Sequence, residues 1–227
     1  MTVQKQLASD QRIVEAKRLI LEALAEHQGA IDSVKPPTPE AVANYDQALS
    51  EFGKIRGANT YFRYLSSGIG NGPFVELGDG SVKLDFITGI GVHGFGHSHP
   101  LLVEAGIDAA LCDTVMQGNL QQHTSSYDMV KLLKETACET GAKLEHCFLT
   151  TSGAMANENS LKIAFQKNAP ANRCIAFEHC FAGRTLALAQ MTDKAKYRVG
   201  LPDTIAVDYI PFFEADDPQG SLSLIHI

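Results

Sequence analysis

The sequence predicts an α/β protein with a mostly parallel sheet. From residue 147 onward, short apolar runs alternate with helical patterns, as in strands joined by right-handed helical crossovers. Nineteen glycines, many in short clusters, supply the tight turns that this class uses. With 227 residues, 44% of them hydrophobic, the chain can form one sizeable core or one and a half domains.

Composition excludes several classes of function. The chain has 19 basic and 26 acidic residues and a net charge of −7, so it lacks the basic footprint of a nucleic-acid-binding protein. No apolar run approaches the roughly 18 to 20 residues of a membrane span, and the N-terminus does not resemble a secretory signal. The five cysteines are odd in number and form no C-x-x-C pair. We therefore expect a soluble, cytoplasmic protein with reduced thiols and no membrane partner.

The N-terminal segment, residues 1–60, is predicted to be helical. Apolar residues recur at helical spacing over 8–28, and Gly29 follows as a stop. Three prolines within 34–39 make a linker, since proline cannot continue a helix. A second short helix is predicted over 39–52.

Residues 61–92 are predicted to form a β-hairpin and a glycine-rich turn. Asp79-Gly80 lies between the strand patterns of 74–77 and 82–86, which is a strong hairpin signal. Pro100 suits the first turn of the next helix, which is predicted to run to about Val115.

Residues 93–221 are predicted to contain the alternating strands and helices. The predicted helices cover 125–141, 154–167 and 183–190, and the predicted strands cover 147–149, 174–177 and 204–207. In such a sheet, ligands bind outside the carboxyl ends of the strands. The junctions that follow the first two strands are therefore expected at one edge of the sheet.

The first of these junctions has the composition of a phosphate-binding turn. Ser152 and Gly153 open the predicted helix after Thr151, so free backbone N–H groups and hydroxyls would meet at the positive end of the helix dipole. An ordinary N-cap by Ser152, without a ligand, fits these residues equally well.

The second junction contains Phe181 and Arg184. An aromatic ring there can stack on a flat cofactor, and an arginine can bind a carboxylate through two hydrogen bonds. Alone, the residues fit a core phenylalanine and a solvated arginine better.

Three histidines, His93, His97 and His99, have a spacing that could hold zinc. Glycines separate them, and no Cys, Asp or Glu nearby completes a site. We therefore expect no metal, and interpret the imidazoles as partners of the backbone and of the next helix.

Three segments taken together resemble a known family. DGSVKLDFITGIGVHGFGHSHP, TTSGAMANENSLKIA and FAGRT occur in the order found in class III aminotransferases, and the resemblance extends from Tyr61 to Pro218. The acetylornithine/ornithine aminotransferase branch is the most similar. The resemblance implies fold type I, with an N-terminal segment followed by the first half of the large domain of a pyridoxal-phosphate (PLP) enzyme.

The resemblance also implies a role for each site residue. Gly153 and Ala154 would donate backbone N–H groups to the cofactor phosphate, helped by Ser152. Phe181 would stack on the pyridine ring, and Arg184 would bind a substrate carboxylate. Two residues depart from the family pattern in ways that leave the amine donor open, namely Met155 for its glutamate and Ala182 for its histidine.

The implied reaction transfers an amino group from a donor such as acetylornithine or ornithine to a 2-oxo acid, in a homodimer. The family's Schiff-base lysine would follow residue 227, so no catalytic residue is assigned here; the lysines after the phosphate segment do not match its place. These are Lys162, Lys167, Lys194 and Lys196.

Alternatives to the aminotransferase function are another class III PLP enzyme (an aminomutase or a decarboxylase), a zinc enzyme and an inactive, non-enzymatic fragment. Residues 222–227 match a translated sequencing-adapter end and are interpreted as an adapter-derived tail rather than a natural one.

Overall fold

The computed structural model describes residues 1–113 and 120–213. The chain divides into two compact units, residues 1–115 and 116–227. The tail predicted at 222–227 lies outside the described residues.

Three helices open the first unit: α1 (Val3–Ala8), α2 (Gln11–Gln28) and α3 (Pro39–Arg56). The single helix predicted over 8–28 is wrong at its beginning, because Asp10 caps a new helix there. Its carboxylate accepts a hydrogen bond of 2.9 Å from the Arg12 backbone N–H, and such caps favour a helix start over continuation. The predicted stop at Gly29 is confirmed.

A three-stranded antiparallel sheet follows, made of β1 (Ser66–Asn71), β2 (Phe74–Leu77) and β3 (Val82–Leu84). The predicted hairpin is confirmed, since β2 pairs with β3 across the Asp79-Gly80 turn. Gly80 has φ +76°, a conformation that glycine adopts without strain. The Asp79 carboxylate accepts hydrogen bonds from the backbone N–H and the hydroxyl of Ser81, at 3.0 and 2.6 Å, which closes the turn.

The core of the first unit lies between α3 and this sheet. Tyr45 packs with Val75 and Leu77, and all three side chains are buried. The Tyr45 hydroxyl donates to the Arg63 carbonyl and accepts from the Leu65 N–H, both at 3.0 Å. The buried phenol therefore has both of its hydrogen-bonding functions satisfied.

The helix predicted at Pro100 is confirmed as α4 (Pro100–Ala110), although it ends before the predicted limit near Val115. The His99 side chain caps it by accepting from the Leu101 N–H at 3.3 Å. Lys17 of α2 binds Asp108 of α4 at 2.9 Å and so links the two helices.

The second unit contains α5 (Thr124–Cys138), α6 (Gly153–Lys167), β4 (Arg173–Phe177), α7 (Leu186–Met191) and β5 (Ala206–Ile210). Strands β4 and β5 are parallel neighbours, in register from Arg173 opposite Ala206 to Phe177 opposite Ile210. The predicted parallel pairing is thus confirmed, with β5 beginning two residues later than predicted. Leu188 and Ala189 of α7 are fully buried.

The strand predicted over 147–149 is wrong, because this segment has no regular structure. A strand needs a neighbour for its backbone N–H and C=O groups. Among the described residues, β4 pairs with β5 alone, and Phe148 remains exposed. No helix within 1–113 or 120–213 is long and apolar enough to cross a membrane.

Candidate functional site

The N-terminus of α6 is the first part of the candidate site. Ser152 is the N-cap, and its hydroxyl oxygen accepts from the Met155 N–H at 3.2 Å. The Ala156 N–H bonds to the Ser152 carbonyl at 2.9 Å. Within the described residues, the N–H groups of Gly153 and Ala154 have no acceptor. The 15-residue helix therefore begins with two free donors at the positive end of its dipole.

Space and charge at this helix end favour an anion. A Cβ added at Gly153 would meet no atom within 4 Å among the described residues, so the approach to the free N–H groups is open. The first turn carries no acidic side chain. Negative charge next appears at Glu158, whose carboxylate accepts a hydrogen bond from the Thr185 hydroxyl.

The second part of the site is residues 179–185, which connect β4 to α7; we call them the β4–α7 segment. Phe181 is 63% exposed, and its ring forms a T-shaped contact with that of Tyr197, at 6.4 Å between centroids and 78° between planes. Arg184 is also exposed, and no acceptor contacts its guanidinium among the described residues. Both side chains are therefore available to a ligand.

Three contacts join the β4–α7 segment to α6. The Asn157 side chain donates to the Ala182 carbonyl at 2.8 Å, and the Thr185 hydroxyl donates to Glu158. A Cβ at Gly183 would lie 3.2 Å from the Ala154 Cβ and 2.6 Å from Leu188 Cδ1. Because Gly183 also has φ +143°, only glycine fits where the β4–α7 segment meets α6.

The structure thus brings together the two predicted segments, Ser152–Ala154 and Phe181–Arg184. The prediction did not include Asn157, Glu158 or Gly183, which hold the segments in contact. A signal for them exists in the sequence, since Asn157 and Glu158 follow Ser152–Ala154 by about one helical turn and Gly183 precedes Arg184 directly.

The three histidines have other partners. His97 Nε2 donates to Asp85 Oδ2 at 2.7 Å, and the ring of His93 stacks on that of His97 at 4.2 Å between centroids. His99 caps α4. The described residues contain no group of three or more His, Cys, Asp or Glu side chains that could hold a metal ion.

The Asp85 carboxylate is buried, with 4% of its side chain exposed. Burial raises its pKa, but hydrogen bonds from the Thr88 N–H, the His97 ring and the Ile87 N–H outweigh burial, so the pKa lies below its ordinary value. The ionised carboxylate therefore fixes the start of the glycine-rich turn. The pairing joins residues 12 positions apart and was not predicted from the sequence.

Comparison with known proteins identifies relatives of this chain. The family model of class-III aminotransferases matches residues 60–222. The mitochondrial acetylornithine aminotransferase of Eremothecium gossypii is 33% identical over 145 residues, which cover 61% of this chain and 34% of that protein. The acetylornithine aminotransferase of Agrobacterium fabrum is 33% identical over 160 residues, covering 68% and 39%. The chain thus spans about a third to two fifths of the length of these relatives.

Solved structures share the fold. The ornithine aminotransferase of Toxoplasma gondii ME49 matches with a TM-score of 0.63 and 18% identity, covering 80% of this chain and 42% of that one. An aminotransferase of Bacillus anthracis matches with a TM-score of 0.63 and 20% identity, covering 82% and 43%. The predicted fold type I class is confirmed. Since the family model covers most of the chain, this protein belongs to the class-III aminotransferase family.

Proposed function

We propose that this chain supplies the phosphate, ring and substrate contacts of a PLP-dependent aminotransferase. One observation carries the proposal: the free N–H groups of Gly153 and Ala154 lie beside a segment that exposes Phe181 and Arg184. These features match a cofactor that has a phosphate and a flat ring, together with a carboxylate substrate. They are two backbone donors for an anion, an accessible aromatic ring, and a guanidinium that has no acceptor within the part of the chain that the structure describes.

The phosphate would be held at the start of α6. Gly153 and Ala154 offer two backbone donors, and the Ser152 hydroxyl can donate a third, because its oxygen accepts from Met155 and its hydrogen has no acceptor among the described residues. Hydrogen bonds to an anion are the strong ones, each stabilising by about 1.5 to 3 kcal/mol. The absence of an acidic side chain in the first turn removes competing charge.

Phe181 would cover one face of the pyridine ring, and Arg184 would orient the substrate through its carboxylate. When bound, PLP supplies the electron sink that amino-group transfer requires. The residues of this chain would fix the ring, exclude water from one of its faces and align the substrate. We propose acetylornithine or ornithine as the amino donor and a 2-oxo acid as the acceptor, following the names of the relatives.

The two residues that differ from the family pattern, Met155 and Ala182, flank these contacts. Met155 lies in the first turn of α6 and is partly exposed. At Ala182 the backbone, rather than the side chain, makes the contacts, through its N–H to Thr192 and its carbonyl to Asn157. Both positions therefore leave the phosphate and ring contacts intact. We further propose a cytoplasmic homodimer without nucleic-acid or membrane partners, in which the five free cysteines remain reduced.

Replacement of Phe181 by alanine is expected to weaken PLP binding five- to a hundredfold. The loss of aromatic contact and buried area corresponds to about 1 to 3 kcal/mol. The measurement is a PLP titration followed by absorbance, on the complete gene product that contains residues 1–227. Phe52→Ala, on helix α3, is the control and should leave affinity unchanged. Equal affinity for wild type and Phe181→Ala would contradict the ring contact.

Replacement of Arg184 by lysine is expected to raise the Michaelis constant for the amino donor ten- to a hundredfold, because lysine cannot make two parallel bonds to a carboxylate. The PLP absorbance band should stay. Arg173→Lys is the matched control, since Arg173, the first residue of β4, binds Asp208 of β5. A variant that loses PLP but keeps its Michaelis constant would show that Arg184 serves the cofactor instead.

Absence of transaminase activity in the wild-type complete gene product, loaded with PLP, would overturn the proposed function itself.

A further inference from the structure

Thr192 stands directly after α7, and its side chain is completely buried, with 0% exposed. Its hydroxyl oxygen accepts from the backbone N–H groups of Ala182 and Gly183, at 3.0 and 3.2 Å. Its hydrogen is donated to the Gly183 carbonyl at 2.7 Å. One hydroxyl thus uses its donor and both of its acceptor positions on two adjacent residues of the β4–α7 segment.

Neighbouring residues extend this attachment. The Asp193 N–H donates to the Cys180 carbonyl at 3.1 Å, and the Asp193 carboxylate accepts from the His179 N–H at 2.8 Å. Four backbone positions of the segment are therefore tied to the end of α7. Phe181 directly precedes the two residues that Thr192 binds, Arg184 directly follows them, and both have exposed side chains.

The backbone of this segment would not keep its shape alone. His179 has φ +62° and Gly183 has φ +143°. A histidine at positive φ is uncommon, and such conformations persist only where surrounding contacts hold them. The bonds from Thr192 and Asp193 are those contacts.

We propose that Thr192 is a positioning residue, which sets Phe181 and Arg184 for the cofactor ring and the substrate carboxylate. The proposal rests on the proposed function, because it assigns those two side chains their ligands. Thr192 itself contacts neither ligand and acts through the Ala182–Gly183 backbone. A valine at this position has nearly the same shape but loses all three hydrogen bonds, whereas a serine keeps them.

The first test measures amide hydrogen exchange in the β4–α7 segment without cofactor. Thr192→Val should speed exchange at Ala182 and Gly183 by about tenfold or more, as expected for lost hydrogen bonds of ordinary strength. Thr192→Ser should exchange like wild type. Thr204→Val is the matched control, because the Thr204 hydroxyl also donates to a backbone carbonyl, that of Leu186, outside this segment. Unchanged exchange in Thr192→Val would overturn the proposal.

The second test separates positioning from simple stability in the complete gene product. Thr192→Val should raise both the PLP dissociation constant and the Michaelis constant for the amino donor about tenfold, with rescue by Thr192→Ser. Should the valine variant fail to fold, Asp193→Ala, which removes only the carboxylate bond to His179, should raise both constants about threefold. Faster exchange with both constants unchanged would reduce Thr192 to a structural residue and contradict the proposal. A wild-type protein that binds no PLP would contradict the proposed function, while the exchange data would still decide whether Thr192 fixes the segment.

Discussion

Valine in place of Gly153 is expected to abolish the absorbance band of bound PLP and to weaken PLP affinity at least about a hundredfold. The side chain would fill the open space in front of the free N–H groups of Gly153 and Ala154, and two charge-assisted hydrogen bonds correspond to about 3 to 6 kcal/mol. The fold should survive, because no described atom lies within 4 Å of the added Cβ. Absorbance and a PLP titration on the complete gene product provide the measurement.

The matched control is Gly106→Val, since Gly106 also lies in a helix and its added Cβ would also meet no described atom within 4 Å. This variant should bind PLP like wild type. Gly153→Ala should show an intermediate loss, because a methyl group blocks less of the approach. An intact PLP band in Gly153→Val would exclude the start of α6 as the phosphate site.

Alanine in place of Asp85 is expected to lower the free energy of unfolding of the first unit by about 1 to 3 kcal/mol, the usual cost of leaving buried hydrogen-bond donors without their acceptor. The substitution leaves the N–H groups of Ile87 and Thr88 and the His97 ring without their acceptor. Urea denaturation followed by circular dichroism checks this value. The control Asp32→Ala removes an exposed carboxylate and should leave the midpoint nearly unchanged.

The same carboxylate gives the first unit a defined acid sensitivity. Because the pKa of Asp85 is lower in the folded protein, its contribution to stability is present above the unfolded value of about 4 and is lost as pH falls through the folded value. Asp85→Asn should flatten this part of the profile, since the amide keeps an acceptor for the backbone but does not titrate. An Asp85→Asn profile identical to wild type would show that another group causes the loss.

The elements whose formation depends on residues close together in the chain could be predicted from the sequence. The hairpin at Asp79-Gly80, the helix stop at Gly29 and the helix start at Pro100 each depend on neighbours along the chain, and all three are confirmed. The strand predicted over 147–149 depended instead on a partner strand. Apolar residues alone do not specify that partner, so the same pattern is found here in an irregular segment.

The candidate site divides in the same way. Ser152 and Gly153 carry a local signal, because small residues before a helix leave its first N–H groups accessible. Thr192 carries none, since its contacts arise only when the chain folds back on Gly183 nine positions earlier. The pairing of Asp85 with His97 likewise cannot be predicted from strand or helix periodicity, which have periods of 2 and 3.6 residues.

The spacing between Gly183 and Thr192 is itself under constraint. Helix α7 has six residues and stands between them as a spacer of fixed length. Each residue added to a helix turns the following side chain by about 100° and moves it about 1.5 Å along the axis. A single insertion or deletion in α7 would therefore rotate the Thr192 hydroxyl away from its partners without changing Phe181 or Arg184. The length of this short helix therefore matters as much as its composition for keeping Thr192 bonded to Ala182 and Gly183.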